Sequence, residues 1–294
     1  DPALSDAWLG IAESYDSLGT IGAMASADAQ QKALRAVRKA EELEPDSARA
    51  QLILGWTSFN YEADYVEAAR RFELALSLAP TDVRAIEFVA SFLVGLGRLE
   101  PAIRLMEYVV ARDPVDAIAH NNLGVVYRWN RLTDEAREAL TVALTLEPEF
   151  SGAEYEIGLT YLMDGQPAQA LEHFQQESSV PFSLVGSMMA LQAMGLPEDA
   201  RQVEEEAIVK YGDHVSFYIA LSMAFQQRPD SAFEWLKIAK EKDDLGLPTA
   251  NVEPILESLH SDSRWLPVLR QLGTSPEQHS ALDFDLPTIL VETR

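Results

Sequence analysis

The sequence contains no cysteine and few basic residues. The absence of cysteine excludes a disulfide, a thiolate nucleophile and a metal site with cysteine ligands. Lys and Arg number 23 against 47 Asp and Glu, and the formal net charge is −24. A charge of this sign repels nucleic acid and anionic membranes, so we expect neither as a partner. No run of 18 apolar residues occurs, and no membrane insertion is predicted.

Residues that carry catalysis or bind metal ions are also sparse. None of the five histidines stands in an HExxH pattern: His120, His173, His214, His260 and His279. The acidic run at 204–206 is predicted to be a solvated helix face, because no loop oxygen ligands accompany it. No Gly-rich phosphate loop or kinase motif is present. We therefore expect a non-enzyme with no catalytic residue, metal or cofactor. A Ser-His-Asp triad stays open as an alternative, since its members are dispersed in sequence.

The residues that are present form a repeat. Pro80, Pro114 and Pro148 stand 34 residues apart. Between two such prolines lie two amphipathic patterns at helical spacing, and proline ends the second because it cannot continue a helix. In the unit that ends at Pro148 the patterns are formed by Leu123, Gly124, Tyr127, Ala136, Leu140 and Ala143. This period predicts consecutive helical hairpins, each with an apolar face that only its neighbour can cover.

The unit resembles the tetratricopeptide repeat, whose pattern is W-x2-L-G-x2-Y, then A-x3-F, then P. Matching residues are Trp8, Ala12, Tyr15, Ala68, Phe72, Pro80, Ile157, Gly158, Tyr161, Ala170 and Phe174. The resemblance implies an all-α, right-handed superhelical solenoid of about seven helix-turn-helix repeats. We expect the array over 1–240, capping helices over 241–273 that are split at Ser261, and an extended tail over 274–294. Gly55, Gly124 and Gly158 are expected where two helices approach closely.

Departures from the regular repeat make the resemblance more specific to one subgroup of tetratricopeptide repeat proteins. A long first loop, an aromatic turn at Phe59–Tyr65 and a distinct ending after residue 240 look like the repeat arrays of bacterial multidomain signalling proteins. In those proteins the array follows a winged-helix regulator, a class III adenylate cyclase or a Ser/Thr kinase. The resemblance implies a non-catalytic sensory or scaffold region that binds a protein or peptide. Because the chain starts at Asp1-Pro2, we expect a piece of a longer protein or a processed protein. We expect it to be located in the cytoplasm, with the periplasm as an alternative.

The predicted binding surface is a concave groove lined by the first helix of each repeat. Its residues are Arg49, Leu52, Trp56, Phe59, Arg84, Glu87, Asn121, Val125, Arg128, Trp129, Tyr155, Leu159, Met163, Phe182, Met189 and Phe217. Such an apolar, aromatic surface with scattered arginines is typical of an interaction site. Some chaperone-binding repeats hold the C-terminal carboxylate of a peptide with lysines and asparagines in the groove. Here Leu9 and Glu13 stand where the first of those residues would be, which argues against such a carboxylate clamp. The alternatives are a stand-alone assembly or co-chaperone scaffold and a small-molecule pocket in the groove.

The tail combines two patterns. Residues 274–280 are polar and contain Pro276, and they read as a linker. Beyond them Leu282, Phe284 and Leu286 alternate with acidic residues, which favours an extended segment. We expect Phe284 and Leu286 either to dock on the array, in the same chain or as a homodimer arm, or to remain disordered.

Overall fold

Consecutive helices joined by short turns make up most of the part of the chain that the structure describes. The computed structural model describes residues 4–20, 24, 26–60, 62–242, 244, 246–280, 282, 284 and 286. All regular structure in this part is helical. Six pairs of neighbouring helices pack together: α1 (Ser5–Thr20) with α2 (Ser26–Leu43), α3 (Ala48–Asn60) with α4 (Tyr65–Leu78), α7 (Ala117–Trp129) with α8 (Thr133–Leu146), α9 (Ala153–Met163) with α10 (Pro167–Gln176), α11 (Val180–Ala193) with α12 (Pro197–Tyr211), and α13 (Ser216–Phe225) with α14 (Pro229–Glu241). Between the second and third of these pairs lie α5 (Val83–Gly95) and α6 (Leu99–Arg112).

Shorter helices follow α14. They are two 3₁₀ helices at Leu247–Thr249 and Pro254–Leu259, then α15 (Trp265–Leu272) and α16 (Pro276–Ser280). The expected split near Ser261 separates the second 3₁₀ helix from α15. The expectation of a linker over 274–280 is wrong, because α16 lies there and Thr274 and Ser275 are 2% and 1% exposed.

Helix boundaries follow local chemistry. The Asp64 carboxylate accepts a hydrogen bond from the backbone N–H of Glu67 at the start of α4. Asp116 does the same for the N–H groups of Ile118 and Ala119 at the start of α7. These bonds satisfy donors that have no partner inside a helix. Several other helices begin with proline in the first turn, where its missing N–H costs nothing.

The turn inside most pairs needs one residue in the left-handed region. Gly97, Gly165 and Gly195 occupy it with φ of 72°, 71° and 76°. Arg131 and Gln227 adopt the same conformation, with φ of 62° and 60°, although they carry a Cβ. A non-glycine residue there costs roughly 1–2 kcal/mol, which the packing of the two helices must offset.

Close approach of the two helices explains the glycines inside them. A Cβ on Gly124 would lie 2.6 Å from Leu140 Cγ, and a Cβ on Gly158 would lie 2.4 Å from Phe174 Cε1. Both distances are shorter than a van der Waals contact, so a side chain there would force the pair apart. The expectation of close packing at Gly124 and Gly158 is confirmed.

The described residues form two compact units. Unit 1 comprises those of 1–92 and 276–294, and unit 2 comprises those of 93–275. In unit 1 the C-terminal end packs on an aromatic cluster. The Phe284 ring lies 5.1 Å from that of Phe92, and the His279 ring lies 5.3 Å from that of Tyr65. Phe284 is 3% exposed, so it docks within its own chain. The acidic residues expected beside it, Asp283 and Asp285, lie outside the described residues.

A transmembrane helix needs about 20 consecutive, mostly apolar residues. No helix in the described part of the chain is both long and apolar enough to cross a membrane.

Candidate functional site

Three first helices of unit 1 bring a carboxylate between two guanidinium groups. Glu13 on α1 accepts hydrogen bonds from Arg49 on α3, with Nη2 to Oε2 at 2.5 Å and Nε to Oε1 at 3.1 Å. Arg84 on α5 donates to the same carboxylate at 3.2 Å. The side chains of Glu13, Arg49 and Arg84 are 32%, 36% and 58% exposed. The arrangement therefore links successive repeats at a surface that solvent reaches.

The charge on Glu13 is set by opposing effects. Partial burial acts to raise the pKa of its carboxyl, while Arg49 and Arg84 lower it by hydrogen bonding and charge. The net pKa lies below the ordinary value, so the group is ionised at neutral pH. Each arginine is thus partly neutralised by the chain itself, and an incoming carboxylate must share or replace Glu13.

Aromatic rings lie on the same helices. The rings of Trp56 on α3 and Phe88 on α5 have centroids 4.8 Å apart at an angle of 30°, and both residues are half-buried. Glu87, beside Phe88, is also half-buried. We call the surface formed by Glu13, Arg49, Trp56, Arg84 and Phe88 the first-helix face of unit 1. It combines apolar area with charged hydrogen-bonding groups, as interaction surfaces do.

Two residues predicted for this surface lie elsewhere. Leu52 is 4% exposed and Phe59 is 6% exposed. The Phe59 ring meets those of Tyr65 and Phe92 edge-on at 5.5 Å. Both predictions are wrong because α3 packs against helices on two sides, so its apolar stripe is wider than one packing contact requires.

In unit 2 the corresponding positions are covered by the chain. Arg128 on α7 is 1% exposed. Its Nη1 and Nη2 donate to the two carboxylate oxygens of Glu253, both at 2.9 Å, and its Nε donates to Glu156. Trp129 Nε1 donates to Glu253 Oε2 at 3.0 Å. The prediction that Arg128 faces an open groove is therefore wrong, because the chain supplies its own carboxylates.

The segment 251–257 carries these contacts, and we call it the cap segment. Asn251 Nδ2 donates to the Gly95 carbonyl at 3.0 Å, and Arg131 pairs with Glu257 at 2.6 Å. The contacts of Asn251, Glu253 and Glu257 are therefore made with Gly95, Arg128 and Arg131, which follow one another in the same order along the chain. The cap segment thus occupies the surface of α7 that the sequence assigned to a ligand.

The buried cluster holds two carboxylates against one guanidinium. Burial raises the pKa of Glu156 above its ordinary value, and Arg128 opposes this only in part. Burial acts in the same direction on Glu253, but the charge and hydrogen bonds of Arg128 and the hydrogen bonds from Ile255 and Trp129 outweigh it. The net pKa of Glu253 is lowered. Of the two carboxylates that contact Arg128, Glu253 is therefore the one that stays ionised to lower pH.

The remaining predicted residues divide by exposure. Tyr155, Leu159, Met189 and Phe217 are between 0% and 2% exposed, so they belong to the core of unit 2 and their assignment to a groove is wrong. All four are buried because they belong to one hydrophobic cluster, in which the Tyr155 ring packs against those of Phe182 and Tyr218, with centroids 5.4 and 5.8 Å away. Intermediate exposure is found for Asn121, Val125, Trp129, Met163 and Phe182.

Among the described residues, no group of three or more His, Cys, Asp and Glu side chains is arranged to hold a metal ion. His173 Nδ1 lies 2.6 Å from Glu154 Oε2, and its ring stacks on Tyr161. This pair joins neighbouring helices and has packing as its evident role. Glu253 and Phe88, which shape the two surfaces, were not found from the sequence, because no motif marks them.

Comparisons with known proteins agree with the helix pairs. Residues 90–149 match the family model for the tetratricopeptide repeat. No curated protein matches the chain. The solved structure of PilW, a widely conserved type IV pilus biogenesis factor, is 20% identical, with a TM-score of 0.61 over 73% of this chain and 96% of that chain. That of pilF from Pseudomonas aeruginosa is 19% identical, with a TM-score of 0.55 over 70% and 91%.

A third solved structure covers more of this chain. It is Cut9–Hcn1 of the APC/C hetero-tetramer, 14% identical, with a TM-score of 0.54 over 90% of this chain and 52% of that chain. At these identities the likeness concerns the fold. The fold suggests a scaffold for protein–protein interaction, since stacked repeats present an extended surface. The all-α class and the hairpin repeat expected from the sequence are confirmed. Residues 90–149 thus match the tetratricopeptide repeat, and the helices on either side of them have the same hairpin form.

Proposed function

We propose that the chain is a non-catalytic module that binds a peptide segment of a partner protein on the first-helix face of unit 1. The observation that carries this proposal is the pair Trp56 and Arg84, on successive first helices, which keep solvent-accessible area. Tryptophan and arginine are among the residues most enriched in binding hot spots. The equivalent positions in unit 2 are covered by the cap segment, so they offer less surface to a partner.

The face favours a partner that brings both apolar and acidic side chains. Trp56 and Phe88 supply adjoining rings, and Arg49 and Arg84 supply guanidinium groups that can bind a carboxylate. A partner carboxylate competes with Glu13, so affinity rests on the aromatic contacts and selectivity on the arginines. The binding is expected to weaken with salt, because the arginines are partly exposed.

A quantitative capture experiment tests this location. The full chain and its Trp56→Ala and Arg84→Ala variants are immobilised, and recovered proteins are compared by mass spectrometry. Arg38→Ala, an exposed arginine on the second helix α2, is the matched control. We expect a set of partners bound by the parent and by the control but weakened about thirtyfold by Trp56→Ala, as loss of a hot spot of about 2 kcal/mol predicts. Partners that bind all four proteins equally would refute the assignment.

We also propose the kind of protein in which the module occurs. Sequence resemblance favours the sensory or scaffold region of a bacterial signalling protein. A stand-alone assembly scaffold is the second candidate, supported by the fold shared with PilW, a pilus biogenesis factor, and with the Cut9–Hcn1 assembly. The complete reading frame distinguishes them. A winged-helix, cyclase or kinase domain ahead of these residues supports the first, and a frame with repeats alone supports the second.

A further inference from the structure

The last helices of unit 2 leave a groove open between them. In a stacked array each second helix is covered by the following pair. Here α14 has 13 residues, while α15 beside it has 8. Because α15 is too short to cover α14, a space of about 440 Å³ remains. Its apolar floor is formed by Leu236, Leu247, Val268 and Leu272. This volume is within the range of sites that hold a ligand or several side chains.

The charge around the groove is opposite to that of the chain. Lys237, Lys240 and Arg264 line it, and no acidic residue does. The chain as a whole has 47 acidic and 23 basic residues. A basic lining over an apolar floor is therefore a local exception. It fits an occupant that is both apolar and negatively charged.

The three cations differ in what already neutralises them. Arg264 is held by Asp230 at 2.8 Å and Asp262 at 2.7 Å, and its guanidinium lies over the Phe233 ring. Lys240 donates to Gln271, a neutral side chain, at 3.0 Å.

Lys237 is 77% exposed, and its Nζ is 3.7 Å from Glu241. A pair this long and this exposed neutralises little of the lysine charge. Lys237 and Lys240 are therefore the positive charges available to an incoming carboxylate, whereas Arg264 serves to shape the wall.

We propose that the groove between α14 and α15 binds an acidic segment of a partner protein. Bulky apolar side chains of the segment fill the floor, and its carboxylates meet Lys237 and Lys240. The groove is open along its rim, where Lys237 is largely exposed. A polypeptide can lie along such a groove with its backbone in water, whereas small apolar ligands bind in clefts or cavities that cover most of their surface. This site is separate from the first-helix face of unit 1 and does not depend on it.

A displayed library of random peptides, panned on the full chain, provides the probe. Affinities of the enriched peptides are then measured by fluorescence anisotropy. The groove variant is Lys237→Glu/Lys240→Glu. The control is Lys39→Glu/Lys210→Glu, which changes two lysines that also sit in exposed pairs on helices. We expect enriched sequences with acidic and bulky apolar residues. They should bind the groove variant about tenfold more weakly, bind the control as they bind the parent, and weaken with salt.

Each other outcome overturns the proposal or assigns the peptide elsewhere. Peptides that bind Trp56→Ala more weakly but bind the groove variant as they bind the parent occupy the first-helix face of unit 1. If every enriched peptide behaves so, the groove does not bind acidic segments. If dodecanoate binds in a lysine-dependent way and no peptide does, the occupant is a lipid and the proposal is wrong. Lys237→Ala/Lys240→Ala is measured as well, so that the result does not rest on introduced carboxylates, and circular dichroism checks that each variant is folded.

Discussion

Replacing Arg128 with methionine removes the guanidinium from the buried cluster of unit 2. Methionine keeps much of the length and apolar volume of the arginine, so packing changes little. What changes is the charge: Glu156 and Glu253 then lie in the interior without their cation, although Trp129 still donates a hydrogen bond to Glu253. Both carboxylates must become protonated, or the cap segment must detach so that water reaches them.

The expected loss is large. Breaking a buried pair by removing one partner costs about 3–5 kcal/mol, because a charge is left uncompensated. Here two carboxylates are left, which places the loss at the upper part of that range. A whole domain is stable by only about 5–15 kcal/mol. We therefore expect Arg128→Met to lose about 4–5 kcal/mol of the free energy of unfolding of unit 2 at neutral pH.

The pH dependence has a definite sign. Without Arg128 the pKa of both carboxyls in the folded state rises above the value of about 4.3 in the unfolded chain, since burial, the largest effect on each, then outweighs the hydrogen bonds that Glu253 keeps from Trp129 and Ile255. A group with a raised folded pKa favours folding below its unfolded pKa and disfavours it as pH rises through the folded pKa. The difference between parent and variant should therefore be smallest near pH 4 and grow toward neutral pH.

Urea unfolding followed by circular dichroism measures the loss, and hydrogen exchange of amides in α7 and α9 locates it. Arg104→Met, an exposed arginine on α6, is the control and should lose less than about 0.5 kcal/mol. Adding Glu156→Gln and Glu253→Gln should restore most of the stability, because the buried charges are gone. A loss below about 1 kcal/mol, or one independent of pH, would show that the cluster is hydrated and that our account of its energetics is wrong.

Two further predictions concern packing. Gly124→Leu should lower the melting temperature strongly, since overpacking against Leu140 costs about 1–3 kcal/mol or more, whereas Gly10→Leu, with no atom within 4 Å of its Cβ, should not. Equal shifts in the two would contradict the close approach of α7 and α8. Phe284→Ala should destabilise unit 1 by about 1.5–3 kcal/mol, because it removes a ring buried against Phe92. It should also speed proteolysis after α16, and an unchanged cleavage rate would mean that the end of the chain is not held there.

Much of the fold was predictable because the repeat is local. The 34-residue period of Pro80, Pro114 and Pro148 locates α5 to α8, and Gly124 with Leu140 marks one contact inside it. The turns were only partly visible. Gly97 signals a left-handed residue, but Arg131 and Gln227 adopt the same φ without any signal in their type. There the packing of the two helices overrides the preference of the residue.

The candidate site was predictable only in part, because exposure depends on what packs from elsewhere. Trp56 and Arg84 keep accessible area, as their helical positions indicated. Arg128 occupies a similar position on α7, yet it is buried. Its partner Glu253 is 125 residues away in sequence, and nothing in the periodicity of α7 or of residues 251–257 points to the pairing. Helical spacing gives the direction of a side chain from its own helix and not what covers it.

The pairing of Arg128 with Glu253 also sets an order of events during synthesis. In a simple repeat array each hairpin can fold once its neighbour has been made. Glu253 follows Arg128 by 125 residues, and ribosomes add about 5–20 residues per second, so α7 waits about 6–25 s for its final contact. During that interval the nascent chain displays Arg128 and Trp129, and later Glu156, to the medium. A chain that stops before the cap segment would stay in that condition and offer chaperones and proteases a surface that the finished protein covers.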